Sequence, residues 1–285
     1  IHPMSLSLNF TKITCVLLIS GFVTACGSSD KNNPSGIDLD KDFPSESGGS
    51  LINAMTGEPS SLISMIAGES ASSAISSNIF NSLLKYDKNL ELEGDLVESW
   101  KISADQKTIR FMLKPDLKWA DGKPLTSADV LFTWQAVIDE KTASPYASDF
   151  QLVKKATTPD ARTFEVSYEQ AYAPALDSWA GLQILPKHLL QGQDLHTTSF
   201  ARNPVGSHYY KLDSWAHGEN LKLSRNPNSV LGQAKIDQLV SRIIPDNSAQ
   251  FLELMADNID YMGLDPIKYS RIIPARPELQ QKLAL

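Results

Sequence analysis

The sequence predicts an α/β fold, and three observations carry that reading. The strand-like run Thr108 to Leu113 leads through a turn at Asp121-Gly122 into a helical run. There Val130, Leu131, Trp134, Val137 and Ile138 recur at helical spacing. Gln151 to Tyr168 reads as paired strands, with Phe164, Val166 and Tyr168 alternating with polar residues. The 285 residues are 42% hydrophobic and 21% charged, which suits a globular protein with a sizeable core in one large or two ordinary domains.

Charge and cysteines exclude several function classes. The net charge is −7, so the basic stripe of a nucleic-acid binder is not expected. Cys15 and Cys26 are the only cysteines. The body of the chain therefore has no disulfide framework, cysteine metal site or catalytic thiol.

Taken in order, Met4 reads as the start and Lys12 precedes the apolar run Ile13 to Val23. That run is shorter than the roughly 20 residues of a bilayer span and fits the apolar part of a secretory signal. It ends in Val23-Thr24-Ala25-Cys26-Gly27, which resembles the lipobox of bacterial lipoproteins. Residues 1–25 are thus expected to be a signal peptide, with Cys26 the lipidated first residue of the mature chain. Residues 26–47, rich in Ser, Asn, Asp, Pro and Gly, read as a flexible tether. Asp38 to Asp42 imitates a calcium loop, but Phe43 and Gly49 stand where Gly and Glu are needed.

Ser50 to Thr56 is the first expected strand, and Gly57 to Leu62 turns away from it. Ser72 to Leu84 reads as a helix with Ala74, Ile75, Ile79, Leu83 and Leu84 inward. At Asp121-Gly122 the glycine accepts a positive φ. Thr126 is a good N-cap, and Asp129 three residues on completes a capping box. Pro174 to Ala180 reads as a short helix.

The ordered run Leu113 to Val130, with Trp119-Ala120-Asp121-Gly122 at its centre, resembles the signature of the family 5 solute-binding proteins of bacterial ABC importers. Thr142-Ala143-Ser144-Pro145-Tyr146-Ala147-Ser148 resembles the oligopeptide-binding branch. Phe80 to Asp87, Leu96 to Trp100, Ile184 to His188, Trp215 to Gly218 and Leu221 to Pro227 fit the same pattern. Asn203 to Leu212 fits it too, except that His208-Tyr209 replaces Gly-Pro.

The resemblance implies a two-lobed fold of the periplasmic-binding-protein type. Residues 48–285 would be the first part of the family 5 domain, with the second lobe beyond Leu285. Residues 48–66 and 183–273 would share the main mixed sheet, and 67–182 would form an inserted subdomain. It also implies ligand-binding roles for Gly68, Glu69 and Ser70 along a cleft, for Tyr146 and for Trp179. The expected function is capture of short peptides for an importer's permease subunits, by a monomer tethered through Cys26 in the periplasm or at the cell surface. No cofactor and no catalytic residue are expected. Relatives that take nickel, haem or sugars define one alternative, and an adhesin or receptor on the same scaffold another.

Enzymatic motifs argue less well. Ser82 and Lys85 match S-x-x-K, but the downstream partners of an acyl-serine enzyme are missing. There is no H-E-x-x-H, P-loop, G-x-S-x-G or G-x-G-x-x-G. His188, His196, His208 and His217 lack ligand spacing.

Overall fold

The structure, a computed structural model, describes residues 47–277 and 279. The signal-like run, Cys26 and almost all of the tether lie outside the described residues. The strands are β1 (Ser50–Met55), β2 (Leu84–Tyr86), β3 (Leu92–Gly94), β4 (Val97–Ile102), β5 (Thr108–Leu113), β6 (Val153–Thr157), β7 (Thr163–Tyr168), β8 (Tyr210–Ala216), β9 (Asn220–Arg225) and β10 (Gln238–Ile243). The helices are α1 (Ser70–Ser76), α2 (Ser127–Ile138), α3 (Ala147–Gln151), α4 (Ala175–Gly181), α5 (Lys187–Leu190) and α6 (Asn247–Met255).

Two four-stranded sheets organise the fold. In the first the order is β1-β10-β9-β8, with β1 parallel to β10 and the other pairs antiparallel. A parallel pair needs a long crossover, and nearly the whole described chain lies between these two strands. The second sheet, β4-β5-β7-β6, is antiparallel and comes entirely from that crossover. On β5 and β7 the residues Ile109, Phe111, Leu113, Phe164, Val166 and Tyr168 are buried. The opposite face carries Arg110, whose guanidinium pairs with Glu165 at 2.7 Å. Period-2 patterning thus gives this sheet one dry face and one wet face.

The turn before α2 forms as its residues dictate. Gly122 takes φ +83, and its N–H donates to the Trp119 carbonyl at 2.8 Å. The Thr126 N–H donates to the Asp129 carboxylate at 2.8 Å, and the Ala128 N–H to Thr126 Oγ1 at 3.3 Å. The buried stripe of α2 differs from the expected one. Val130 and Val137 are buried, but Leu131, Trp134 and Ile138 are only half-buried. Asp129 and Thr133 share the buried face because each has partners: Lys187 N–H donates to Asp129 at 2.9 Å and Leu185 N–H to Thr133 Oγ1 at 2.9 Å.

The helix expected over Ser72 to Leu84 is shorter and starts earlier. α1 stops at Ser76, Ala74 is exposed, and Leu84 already belongs to β2. Serine and asparagine side chains bond the carbonyls the helix would need. Ser77 Oγ donates to Ala74 O at 3.2 Å, and Asn78 Nδ2 to the same carbonyl at 2.9 Å. Ile75, Ile79, Leu83 and Leu84 are nevertheless buried. Ser82 and Lys85 therefore do not share a helix end: Ser82 makes a strand-like bridge with Gln183, and Lys85 sits in β2.

Candidate binding cleft

A cleft of about 630 Å³ opens between α1, β2, α3 and α4. Its lining mixes aromatic side chains (Phe80, Tyr146, Phe150, Tyr172) with polar groups (Ser64, Ser73, Lys85, Asp149, Asp177, His208 among them). Convergent polar groups in an otherwise apolar concavity are the usual mark of a ligand site. A groove of about 810 Å³ beside α2 and residues 190–196 is larger, but no residue singled out from the sequence as ligand-binding lines it.

Tyr146 reaches the cleft, with 38% of its surface exposed. Its mounting is local. Ser144 Oγ donates to the Met65 carbonyl at 2.6 Å and accepts the Tyr146 N–H at 3.2 Å. One buried hydroxyl therefore fixes the tyrosine's loop to the segment after β1. Ser64 Oγ donates to Gln183 Oε1 at 2.7 Å, and the Tyr86 hydroxyl donates to Asp177.

The other expected residues stand elsewhere. Gly68 and Ser70 are exposed, and none of Gly68, Glu69 and Ser70 lines the cleft; Met65 and Ser73 on either side do. The Glu69 carboxylate accepts from Ser60 N–H and Ser60 Oγ at 2.8 Å each and from Ser72 Oγ. Burial pushes its pKa up, but those hydrogen bonds outweigh it and hold the carboxyl at about 2. Glu69 thus ties the turn after β1 to the start of α1.

Trp179 was expected on the cleft but is fully buried behind it. Its ring packs edge-on against Phe150 and Phe164, with centroids 5.1 and 5.2 Å away, and tilts against Phe111 at 6.0 Å. Its Nε1–H donates to the Tyr168 hydroxyl at 3.0 Å. Phe150, on the other side of that contact, does line the cleft.

Sequence reasoning missed a buried polar chain in the cleft wall. Asp95 accepts from Asn81 Nδ2 at 2.9 Å and from the Ser82 N–H at 2.9 Å, and Ser207 Oγ donates to Asn81 Oδ1 at 2.8 Å. Desolvation raises the Asp95 pKa in spite of these donors. His208 stands nearby; desolvation lowers its pKa, against the pull of Asp95. The only signal of this region was the His208-Tyr209 replacement. Nothing in the pattern around Asp95 marked it.

Glu58 had no role in the sequence reading either. It accepts from Trp215 Nε1 at 2.6 Å and from the Gly218 N–H at 3.2 Å, with Arg202 over the Trp215 ring at 3.8 Å. This carboxylate joins the turn after β1 to the β8–β9 hairpin. Among the described residues no group of three or more His, Cys, Asp or Glu side chains is placed to hold a metal ion.

Residues 91–282 match the family described as bacterial extracellular solute-binding proteins, family 5 Middle. The chain belongs to that family of solute-binding proteins.

The oligopeptide-binding protein AppA of Bacillus subtilis is 28% identical over 265 residues, covering 90% of this chain and 48% of that protein. A structure of AppA with a nonapeptide superposes with a TM-score of 0.74 at 26% identity, over 79% of this chain and 45% of that one. NikZ of Campylobacter jejuni, solved with Ni(L-His), gives a TM-score of 0.69 at 30% identity, over 74% of this chain and 42% of that one. The chain spans about half the length of AppA. The mixed α/β fold is thus that of about half of a family 5 binding protein.

Proposed function

We propose that this chain is the first-lobe part of a binding protein that captures short peptides for an ABC importer. The observation that carries this reading is the mixed aromatic and polar cleft with Tyr146 at its mouth. The likeness to an oligopeptide binder over 90% of the chain supports it. A second lobe would hinge over the cleft and share the ligand's contacts. Peptide main chain would supply most of the hydrogen bonds, which gives affinity without side-chain preference. Bound water would adapt the pockets to different side chains. No bond is made or broken. Residues 67–182 form the inserted subdomain of the lobe in this reading.

The box at Cys26 supports a diacyl anchor, which holds a protein to a membrane where one chain does not. The protein would then work in the periplasm or at the cell surface, as a monomer delivering ligand to permease subunits.

A second reading is the uptake of a nickel complex, favoured by the 30% identity to NikZ. Calorimetric titration of the protein from its complete reading frame separates the two. A mixed library of short peptides should give saturable heat, and nickel with histidine should give none. Heat from the nickel complex alone, or from haem or a sugar, would keep the family and discard the peptide.

A further inference from the structure

We propose that His196 is a positioning residue for Tyr146: from the groove beside α2 its ring holds the tyrosine's loop at Thr142 and so keeps the tyrosine at the ligand. The binding part of this rests on the peptide reading above. Tyr146 lines the cleft, and Thr142, four residues earlier, lines that groove. One loop therefore has a face in each.

The loop leaves α2 under strain. The Asp139 carbonyl, at the end of α2, accepts the Thr142 N–H at 2.9 Å and the Ala143 N–H at 3.3 Å. Ala143 then takes φ +47, a left-handed conformation that costs free energy in a residue with a Cβ. Such a conformation persists where the surrounding contacts impose it. Downstream that contact is Ser144, whose Oγ donates to the buried Met65 carbonyl at 2.6 Å. Upstream it is His196, whose Nε2 stands 2.9 Å from the Thr142 carbonyl. A carbonyl only accepts, so Nε2 carries a proton and donates it. The Thr142 carbonyl lies in the rigid peptide plane that precedes the Ala143 Cα. Holding that plane holds the strained angle.

His196 is itself well mounted. Its N–H donates to Asp194 Oδ1 at 2.9 Å, and the Asp194 carbonyl accepts the Thr197 and Thr198 N–H groups at 3.2 and 3.0 Å. Leu190 and Leu195 are buried and root the segment in the core. None of residues 190–196 lines the cleft, so the support comes from outside the site. Locking a binding side chain through its neighbours' hydrogen bonds is what holds it ready before a ligand arrives. His196 is exposed, so trimming its ring should remove this bond and little packing.

The test uses the protein from its complete reading frame, titrated calorimetrically with trialanine. His196→Ala removes the donor and His196→Gln restores one. The loss of one neutral hydrogen bond predicts binding weaker by about two- to tenfold in His196→Ala, and His196→Gln should recover most of it. In a Tyr146→Ala background His196→Ala should cost nothing further, because its effect passes through the tyrosine. Hydrogen exchange gives a readout without ligand: amides of residues 142–149 should exchange faster in His196→Ala, and those of β5 and β7 should not.

Equal affinity in wild type and His196→Ala would overturn the proposal. So would a glutamine variant as weak as the alanine one, the same fold-loss in the Tyr146→Ala background, or unchanged exchange at residues 142–149. If wild type does not bind trialanine, the peptide reading fails, and the role of His196 in binding falls with it. Faster exchange in His196→Ala would then show that the clamp on the loop is real and that only the ligand was misread.

Discussion

Replacing Trp179 with alanine asks whether the cleft's aromatic wall is held from behind. The side chain is 0% exposed and its ring meets Phe111, Phe150 and Phe164. Truncating a buried aromatic costs about 3–5 kcal/mol through lost burial and the cavity left behind. The variant also strips the Tyr168 hydroxyl of its 3.0 Å donor, at a further cost of about 1–3 kcal/mol. A loss of about 4 kcal/mol or more is expected, a large share of the roughly 5–15 kcal/mol of a typical domain. With urea slopes of about 1–3 kcal/mol per molar, the midpoint should fall by at least about 1 M.

Trp179→Phe keeps the ring contacts and loses the donor, so it should cost about 1–2 kcal/mol. Burial pushes the Tyr168 phenol up to about 12, so it should stay silent in an ultraviolet titration at pH 10. Urea unfolding followed by tryptophan fluorescence reads both variants. A Trp179→Ala protein within about 1 kcal/mol of wild type, yet impaired in peptide binding, would mean that the ring faces the ligand after all.

Further outcomes follow from other contacts and from the Cys26 box. Thr126→Ala should cost about 0.5–2 kcal/mol by uncapping α2. Asp129→Ala should cost more, about 2–4 kcal/mol, because it also orphans the Lys187 N–H; equal midpoints for the two variants would contradict this. Glu69 has its folded pKa lowered from 4.5 to about 2, so its contribution is present above pH 4.5 and lost as pH falls toward 2. Glu69→Gln should flatten that part of the stability profile, and an unchanged slope would remove Glu69 as its source. Cys26→Ala should move the protein from the membrane fraction to the soluble one, or leave the signal uncleaved; equal partitioning would exclude the anchor.

The parts legible in the sequence were those decided by local chemistry. Gly122 and the Thr126–Asp129 box form as read, because a turn and a cap depend on a few adjacent residues. The alternation on β7 fixed which face of the second sheet is dry. Long-range polar contacts were not legible. Asp129 and Thr133 sit on the buried face of α2 because backbone groups at 185 and 187 satisfy them, and no periodicity announces such partners. Ser77 and Asn78 were counted as helix although their side chains bond the Ala74 carbonyl near its end.

The cleft repeats the pattern. The Thr142–Ser148 motif led to Tyr146, which lines the cleft. Trp179 was implied only by its place seven residues before Pro186, and three phenylalanines and a tyrosine from other elements enclose it. Glu69 was singled out for its loop, and its carboxylate is occupied by Ser60 and Ser72. The Asn81–Asp95–Ser207 chain joins residues far apart in sequence and left no local trace.

Where the peptide lies is tested most directly by photocross-linking. A short peptide carrying a photoreactive side chain is bound to the protein from its complete reading frame, irradiated, and its adducts mapped by mass spectrometry. Adducts should fall on the cleft residues Met65, Lys85 and Tyr146, and excess unlabelled trialanine should suppress them. Adducts confined to the groove formed by Phe132, Gln135 and residues 190–196, or none that trialanine displaces, would contradict the placement of the site.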